Sequence, residues 1–421
     1  MEPKKIAIIG GSIWGNRGAS AMLETTIGKL REAKIEAEYA VFTPYPLKDS
    51  KLVDDPQMEF LDSRPLALIQ YFLKAVWGWL LARFGQNTNF SGGVKLLTSA
   101  DVLLDIGGIT FSDGRLMFLP YNILTIWPSI MFRVPVVKLS QAAGSFKNPI
   151  IRLFSKLFLS RCNHFFARGE KTLAFLKELG IDTKKINLAA DIAFCYEPRY
   201  CLSTENSTAI NQLCDSLDKL IISGKKVVVI SPSILVLEKM KTRQPNYVQL
   251  LVDFIKQIDS NDIVFIVFPN ASREGSKKKR NNDIRAIELL RDAAEIQLPS
   301  PLYKRIKWVA FDVNTRGIEE IIKRADILLA SRFHAMVFGL RLGIPTMVLG
   351  WGHKYLEVMK KFGQEGYVTD FESPNANLAK NLLEVLEKKK LIEAEIGQAL
   401  VAEKASSNQQ FDYLIRSIFD K

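Results

Sequence analysis

Short apolar runs and amphipathic stretches alternate along this chain from end to end. In the first half, runs rich in β-branched and aromatic residues fall at 5–9, 36–42, 102–106, 136–139, 164–167 and 186–188. Between them apolar residues recur at helical spacing, most plainly over 19–32 and over 171–179, where Gly180 closes the pattern. Polar residues dominate 197–224 around one expected helix. Strand patterns then resume at 226–231, 263–268, 306–309, 327–330 and 346–349, and the tail from 376 to 419 reads as charged surface helices. Alternation of this kind implies βαβ units and mainly parallel sheets. The expected fold is α/β, with two Rossmann-like domains whose parallel sheets face a cleft, the default place for a ligand. The expected boundaries are an N-terminal domain over 1–196, a connecting region over 197–224, a C-terminal domain over 225–375, and helices over 376–421 that pack back on the first domain.

Two apolar stretches interrupt this regularity. Positions 65–84 (PLALIQYFLKAVWGWLLARF) have the length of a membrane span but carry Lys74 in the middle and Arg83 near the end. Positions 116–137 are broken by Pro120, Pro128, Arg133 and Pro135. Neither reads as a transmembrane helix. The favoured expectation is a pair of buried or amphipathic helices covering a sheet. The sharper alternative is an apolar, Trp-bearing surface resting on a membrane. Near the amino end, Lys4 and Lys5 precede an apolar run of only four residues, Ile6 to Ile9, which meets Gly10-Gly11 at once. That is a first β-strand, too short for a secretory apolar region.

Composition narrows the class. The chain has 421 residues, 48% hydrophobic and 24% charged, the balance of a globular protein with room for two cores. Its four cysteines (Cys162, Cys195, Cys201, Cys214) lack metal-like spacing, and with three histidines in all a Cys/His zinc site is not expected. Reduced thiols in a cytoplasmic protein are the plain expectation. The net charge of +12 favours acidic partners such as phosphorylated small molecules or anionic lipid. Cations are spread along the chain, with one dense run at Lys277-Lys278-Lys279-Arg280 in a polar loop. No aromatics interleave with that run, so nucleic acid is not expected as a partner.

The most informative segment is Ala325-Asp326-Ile327-Leu328-Leu329-Ala330-Ser331-Arg332-Phe333-His334-Ala335. A strand pattern ends in Ser-Arg-x-His, a helical pattern runs to Leu342, and Gly343-Ile344-Pro345 breaks it. Arg332 and His334 therefore belong at the carboxyl edge of a parallel sheet, where ligands bind. The helix N-terminus adds amide donors and partial positive charge, so an anion is the natural guest. A His beside it can move a proton near neutral pH. After the next strand come Gly350-Trp351-Gly352-His353-Lys354, and an adjacent parallel strand would bring Lys354 up as a second cation.

Three further loops follow strands. Gly10 to Ala19 is glycine-rich without the G-x-G-x-x-G spacing of a dinucleotide site, and it contains Asn16. Asp105-Ile106-Gly107-Gly108-Ile109-Thr110-Phe111-Ser112-Asp113 offers two carboxylates, Asp105 and Asp113, that suit sugar hydroxyls or serve as plain turn residues. Arg168 stands at a strand end before Gly169-Glu170, either facing a ligand or paired with Glu170 at the surface, and Asp191 follows another strand.

These motifs together resemble the polysaccharide pyruvyl transferase family. The likeness runs over nearly the whole length: GNRGA at Gly15 to Ala19, the Asp105 to Asp113 loop, RGEKT and Leu176 after Arg168, Asp191, and the S-R-x-H-A block with its later G-x-P and His353-Lys354. Two departures stand out. Many members have an acidic residue in the first loop where this chain has Arg17-Gly18-Ala19-Ser20, and Arg168 is followed by Gly169 before Glu170. The resemblance implies a GT-B-like fold and an enzyme of cell-surface polysaccharide synthesis. It would take pyruvate from phosphoenolpyruvate and join it as a ketal across two hydroxyls of a sugar or its lipid-linked precursor. It also implies Arg168, Arg332 and His334 as donor residues, to which the local reading adds Lys354; the C-terminal domain would be the donor side and the N-terminal domain the acceptor side. Asn16, Asp105, Asp113 and Asp191 are the candidate acceptor residues. Arg332 and His334 are the catalytic candidates, with His334 either protonating the enol methylene or assisting phosphate departure. No cofactor and no metal are expected. The enzyme would be cytoplasmic, or peripheral at the inner face of the membrane. The alternatives left open are a GT-B-type glycosyltransferase using a nucleotide sugar, and a non-catalytic glycan- or membrane-binding protein.

Overall fold

A computed structural model describes residues 2–86, 88–204, 208–258, 260–273, 282–350, 353–371 and 377–420. The chain forms two compact units. The first comprises Met1–Trp14, Ala19–Thr204 and Glu403–Lys421, and the second Gly15–Gly18 and Glu205–Ala402. The basic run Lys277–Arg280 and the residues Trp351 and Gly352 lie outside the described residues, and so does the side chain of His353.

In the first unit the strands are β1 (Lys4–Ile9), β2 (Ala37–Thr43), β3 (Met58–Asp62), β4 (Val102–Asp105), β5 (Val136–Gln141), β6 (His164–Ala167) and β7 (Ile186–Leu188). They pair in the order β3-β2-β1-β4-β5-β6-β7, and every pairing is parallel. In the second unit β8 (Lys226–Ser231), β9 (Ile263–Val267), β10 (Ile306–Trp308), β11 (Ile327–Ala330), β12 (Thr346–Gly350) and β13 (Val368–Asp370) pair as β10-β9-β8-β11-β12-β13, again all parallel. The α/β class with two Rossmann-like parallel sheets is therefore what the chain adopts. Strands β4, β5, β9, β11 and β12 are buried at every position. That is why they read as near-continuous apolar runs: helices cover both faces of a parallel sheet. Strand order reverses between β1 and β4, and again between β8 and β11. These are the switch points where crevices open at carboxyl ends.

Strand pattern failed at two of the four sheet edges, β3 and β13, and held at β7 and β10. Strand β3 is half-exposed along its length and reads MEFLD, and β13 has three residues, VTD, so neither carries an apolar run. The larger correction concerns the first apolar stretch. The helix Pro65–Arg83, favoured as a buried or amphipathic helix covering a sheet, is largely exposed on its apolar side. Only Leu68, Ala75 and Gly78 are buried on it. Among the described residues it is the one helix long and apolar enough, by length and composition, to cross a membrane, with mean hydropathy 1.3. The second stretch is a short 3-10 turn, Asp113–Phe118, and the helix Leu119–Met131, which leads to β5.

Candidate functional site

The second sheet's switch point assembles the densest group of predicted residues. Strand β8 ends at Ser231, opposite Ala330 of β11. The chain leaves β11 through Ser331, whose amide donates to the Ser231 carbonyl at 2.9 Å. The Ser331 hydroxyl accepts from Tyr247 Oη at 2.7 Å, and Tyr247 Oη in turn accepts from the Ser233 amide at 3.2 Å. Burial raises the Tyr247 phenol pKa, with the Ser331 and Ser233 bonds opposing, so it stays a neutral donor.

Arg332 is the N-cap residue of the helix Phe333–Arg341, in extended conformation. Its guanidinium is held by Asp283. Nε lies 3.0 and 2.9 Å from the two carboxylate oxygens, and Nη2 lies 2.5 Å from Oδ1. The Asp283 carboxylate is fully buried and also accepts the Ile234 amide at 2.9 Å and the Ala271 amide at 2.8 Å. One edge of the fork is thereby fixed, and Nη1 remains on the other edge with no acceptor among the described residues. A buried ion pair satisfied by additional hydrogen bonds sets geometry more than it adds stability.

His334 follows in the first turn of the same helix, its ring edge-on to Phe333 at 5.3 Å between centroids. Gly18 lies against it: a Cβ built at Gly18 would come within 2.0 Å of His334 Nδ1. Residues 15–18 belong to this unit through several contacts. Asn16 forms an isolated antiparallel bridge with Ala271, the Arg17 amide donates to Asn270 O at 3.2 Å, and the Ser272 amide donates to Gly15 O at 2.8 Å. Arg17 is buried and paired with Asp312, which also accepts from the Ser272 hydroxyl. Asn16 Oδ1 accepts from the Gly18 amide at 3.2 Å. Ala271 thus faces Asn16 and also donates its amide to the carboxylate that clamps Arg332.

Lys354 arrives on the helix after β12, which pairs with β11. Its Nζ lies 5.3 Å from the Phe333 ring centroid and 5.2 Å from that of Tyr355, and Tyr355 Oη donates to Ser331 O at 3.4 Å. Arg332, His334, Lys354 and Asn16 therefore share one neighbourhood of the second unit.

The other candidates belong to the first unit. Arg168 is buried, and its partner is Asp191, not Glu170: Nη1 is 2.6 Å from Asp191 Oδ2, and Nη2 donates to Gly108 O at 3.0 Å. Asp191 Oδ1 also accepts the Ala193 amide at 3.0 Å. The alternative of a surface pair with Glu170 is not realised, because Arg168 folds back over the Gly107-Gly108 loop. Asp105, at the end of β4, is paired with Lys138 across the sheet register, and both side chains are buried. Asp113 accepts from Ser145 Oγ at 2.6 Å and from the amides of Lys147 and Asn148 at 2.9 and 3.1 Å. Burial pushes the Asp113 pKa up, and these three bonds outweigh it and hold it below the usual range. Asp105, Asp113 and Asp191 are thus each engaged by the protein's own groups. Among the described residues no group of three or more His, Cys, Asp or Glu is placed to hold a metal ion.

Sequence reasoning missed Asp283, Tyr247 and Lys138. Lys138 had a signal, a lone cation inside the apolar strand VVKLSQ. Asp283 had none, since it stands in a polar stretch before the helix Ile284–Gln297 and reaches Arg332 only through the fold.

The polysaccharide pyruvyl transferase family model matches residues 16–353. The chain belongs to the polysaccharide pyruvyl transferase family. It is similar to the amylovoran biosynthesis protein AmsJ of Erwinia amylovora, with 19% identity over 430 residues, 98% of this chain and 100% of that protein. This pyruvyl transferase is an enzyme of polysaccharide biosynthesis. Its fold is similar to that of the UDP-GlcNAc 2-epimerase of Neisseria meningitidis bound to UDP-GlcNAc, with TM-score 0.61, 13% identity, and coverage of 98% of this chain and 100% of that one. It is also similar to HepE of Anabaena in complex with UDP-glucose, with TM-score 0.56, 12% identity, and coverage of 98% and 100%. These likenesses place the transferase in the GT-B-like α/β class.

Proposed function

We propose that this transferase moves pyruvate from phosphoenolpyruvate onto two hydroxyls of one sugar, in a cell-surface polysaccharide or its lipid-linked precursor, and closes a ketal. The observation that carries this reading is the Arg332 guanidinium, fixed by buried Asp283 at a sheet's carboxyl end beside His334. A dianionic phosphate and a carboxylate call for cations already in place, since their reorganisation would cost rate. Arg332, Lys354 and the amides opening the helix Phe333–Arg341 supply them.

In the proposed chemistry His334 delivers a proton to the enol methylene, and the central carbon becomes electrophilic. One sugar hydroxyl attacks that carbon and loses its proton. The carbon–oxygen bond to phosphate breaks, with the electron pair leaving on phosphate. The second hydroxyl then attacks the same carbon and loses its proton. Of the two hydroxyl protons released, one replaces the proton spent on the methyl group and the other leaves on hydrogen phosphate. No metal or cofactor enters this balance. The enzyme would act in the cytoplasm, at the inner membrane face when its acceptor is lipid-linked.

The deciding assay is phosphate release from phosphoenolpyruvate over a panel of sugar acceptors. We expect acceptor-dependent release that His334→Ala abolishes in a protein that still melts cooperatively. Phosphoenolpyruvate should also raise the melting temperature of the parent. A shift with nucleotide sugars and none with phosphoenolpyruvate would favour the glycosyltransferase reading, which UDP-binding fold neighbours keep in play.

A further inference from the structure

The first unit turns an apolar helix face to solvent. Leu66, Ile69, Leu73, Trp77, Leu80 and Phe84 are 40–81% exposed. They recur every three or four residues along the helix Pro65–Arg83 and the residue that follows it, so they form one stripe. A surface helix of a soluble protein ordinarily shows the reverse pattern, apolar inward and polar outward. Exposed Leu116 and Met117 precede the helix Leu119–Met131, and exposed Ile150 and Leu153 lie on the helix Pro149–Leu159. Leu119–Met131 packs against both the stripe-bearing helix and Pro149–Leu159.

Charge says what covers this face. Residues 63–100 and 114–169, which build these helices, contain twelve Lys or Arg and no Asp or Glu. Setting those twelve aside from the 57 cationic residues leaves 45, equal to the 45 acidic residues of the chain. The whole formal excess of +12 therefore resides in these two stretches. Lys138 and Arg168 are spent internally on Asp105 and Asp191, and Arg64 pairs with Asp62. Lys74 and Arg83 stay exposed on the stripe-bearing helix, and Arg152 and Lys156 on Pro149–Leu159.

We propose that this face docks on a membrane leaflet rich in anionic lipid, with the helix Pro65–Arg83 lying along the interface. The Leu, Trp and Phe side chains enter the boundary between headgroups and acyl chains, and the flanking cations reach the lipid phosphates. Crossing the bilayer is disfavoured by Lys74 at mid-helix and by the helix's other face, which packs on Gly92–Ser99 and Leu119–Met131. A second copy of the chain is disfavoured because two faces with so large an excess of cations would repel.

The test is flotation of the full-length protein with vesicles of phosphatidylglycerol or of phosphatidylcholine, without donor or acceptor, so that its outcome is separate from that of the transfer reading. The parent should float with phosphatidylglycerol vesicles, less at high salt, and weakly with phosphatidylcholine. Leu73→Glu with Trp77→Glu should cut the bound fraction about tenfold without lowering Tm, since both sites are exposed. Lys74→Glu with Arg83→Glu tests the electrostatic half with the apolar stripe left intact. It should abolish the preference for phosphatidylglycerol, and it keeps the test alive should the first pair fail to fold. The proposal is overturned if the parent ignores phosphatidylglycerol vesicles at low salt, if folded variants float as well as the parent, or if the parent is a dimer that Leu73→Glu with Trp77→Glu splits.

Discussion

Asp283 decides what Arg332 can do. An arginine at a helix N-terminus has many rotamers, and ordering it for one anion costs entropy. The buried carboxylate meets that cost on folding by holding Nε and Nη2. Asp283→Asn should therefore lower kcat/KM on the order of 10²-fold, through a misplaced guanidinium, in steady-state phosphate-release assays. Its Tm should fall as well, because the substitution breaks a buried pair. A second residue-scale test lies at Gly18. Helix propensity alone would make Gly18→Ala stabilising by up to ~1 kcal/mol. The new methyl would meet the His334 ring at Nδ1 and Cγ, so the imidazole must be displaced. The expected outcome is a protein that still folds, with the propensity gain offset by the clash, and sharply reduced turnover, read by melting and assay on the same sample. Full turnover would show that the imidazole's position against Gly18 is irrelevant to the reaction.

Strand β6 shows how one element sets a titration. It places His164 against the rings of Phe166 and Tyr413, at 4.5 and 4.3 Å between centroids, with a ring nitrogen 2.9 Å from Asn187 Oδ1. Burial lowers the imidazole pKa below its ordinary 6.5, and the Asn187 bond opposes only in part. The unfolded chain takes up a proton near 6.5 and the folded one does not. Stability is thus full above that pH, falls as pH drops below it, and levels off once the folded value is passed. Urea midpoints of the parent should decline from neutral pH to about pH 5, and His164→Gln should remove part of that slope. The edge strands β3 and β13 teach the complementary lesson. An interior parallel strand announces itself because both faces are buried, whereas these two edge strands are partly exposed and carry no such run.

On the scale of the whole molecule, the carboxyl-terminal segment is part of the first unit's structure. The Ala190 amide donates to Ser406 Oγ at 3.0 Å, Gln409 Nε2 donates to Leu188 O at 2.7 Å, and Gln410 Nε2 donates to Ala190 O at 2.9 Å, while Phe411 and Leu414 are buried. Three hydrogen bonds and two buried apolar side chains are together worth about 5 kcal/mol. Deleting 403–421 should therefore lower the first unit's unfolding transition in calorimetry and leave the second unit's in place. A single undivided shift of both would refute that separation.

The alternation of apolar runs and helical spacing determined the α/β class, two parallel sheets and the positions of Arg332 and His334 at a carboxyl edge, because parallel strands and strand–helix junctions write themselves locally. Partnership was decided only in three dimensions. Arg168 with Asp191, Asp105 with Lys138 and Arg332 with Asp283 join residues 23, 33 and 49 positions apart, and no local pattern encodes which cation a buried carboxylate will meet. The face of Pro65–Arg83 belongs to the same class: composition made it a helix, but only the packing of its neighbours turned the apolar side outward.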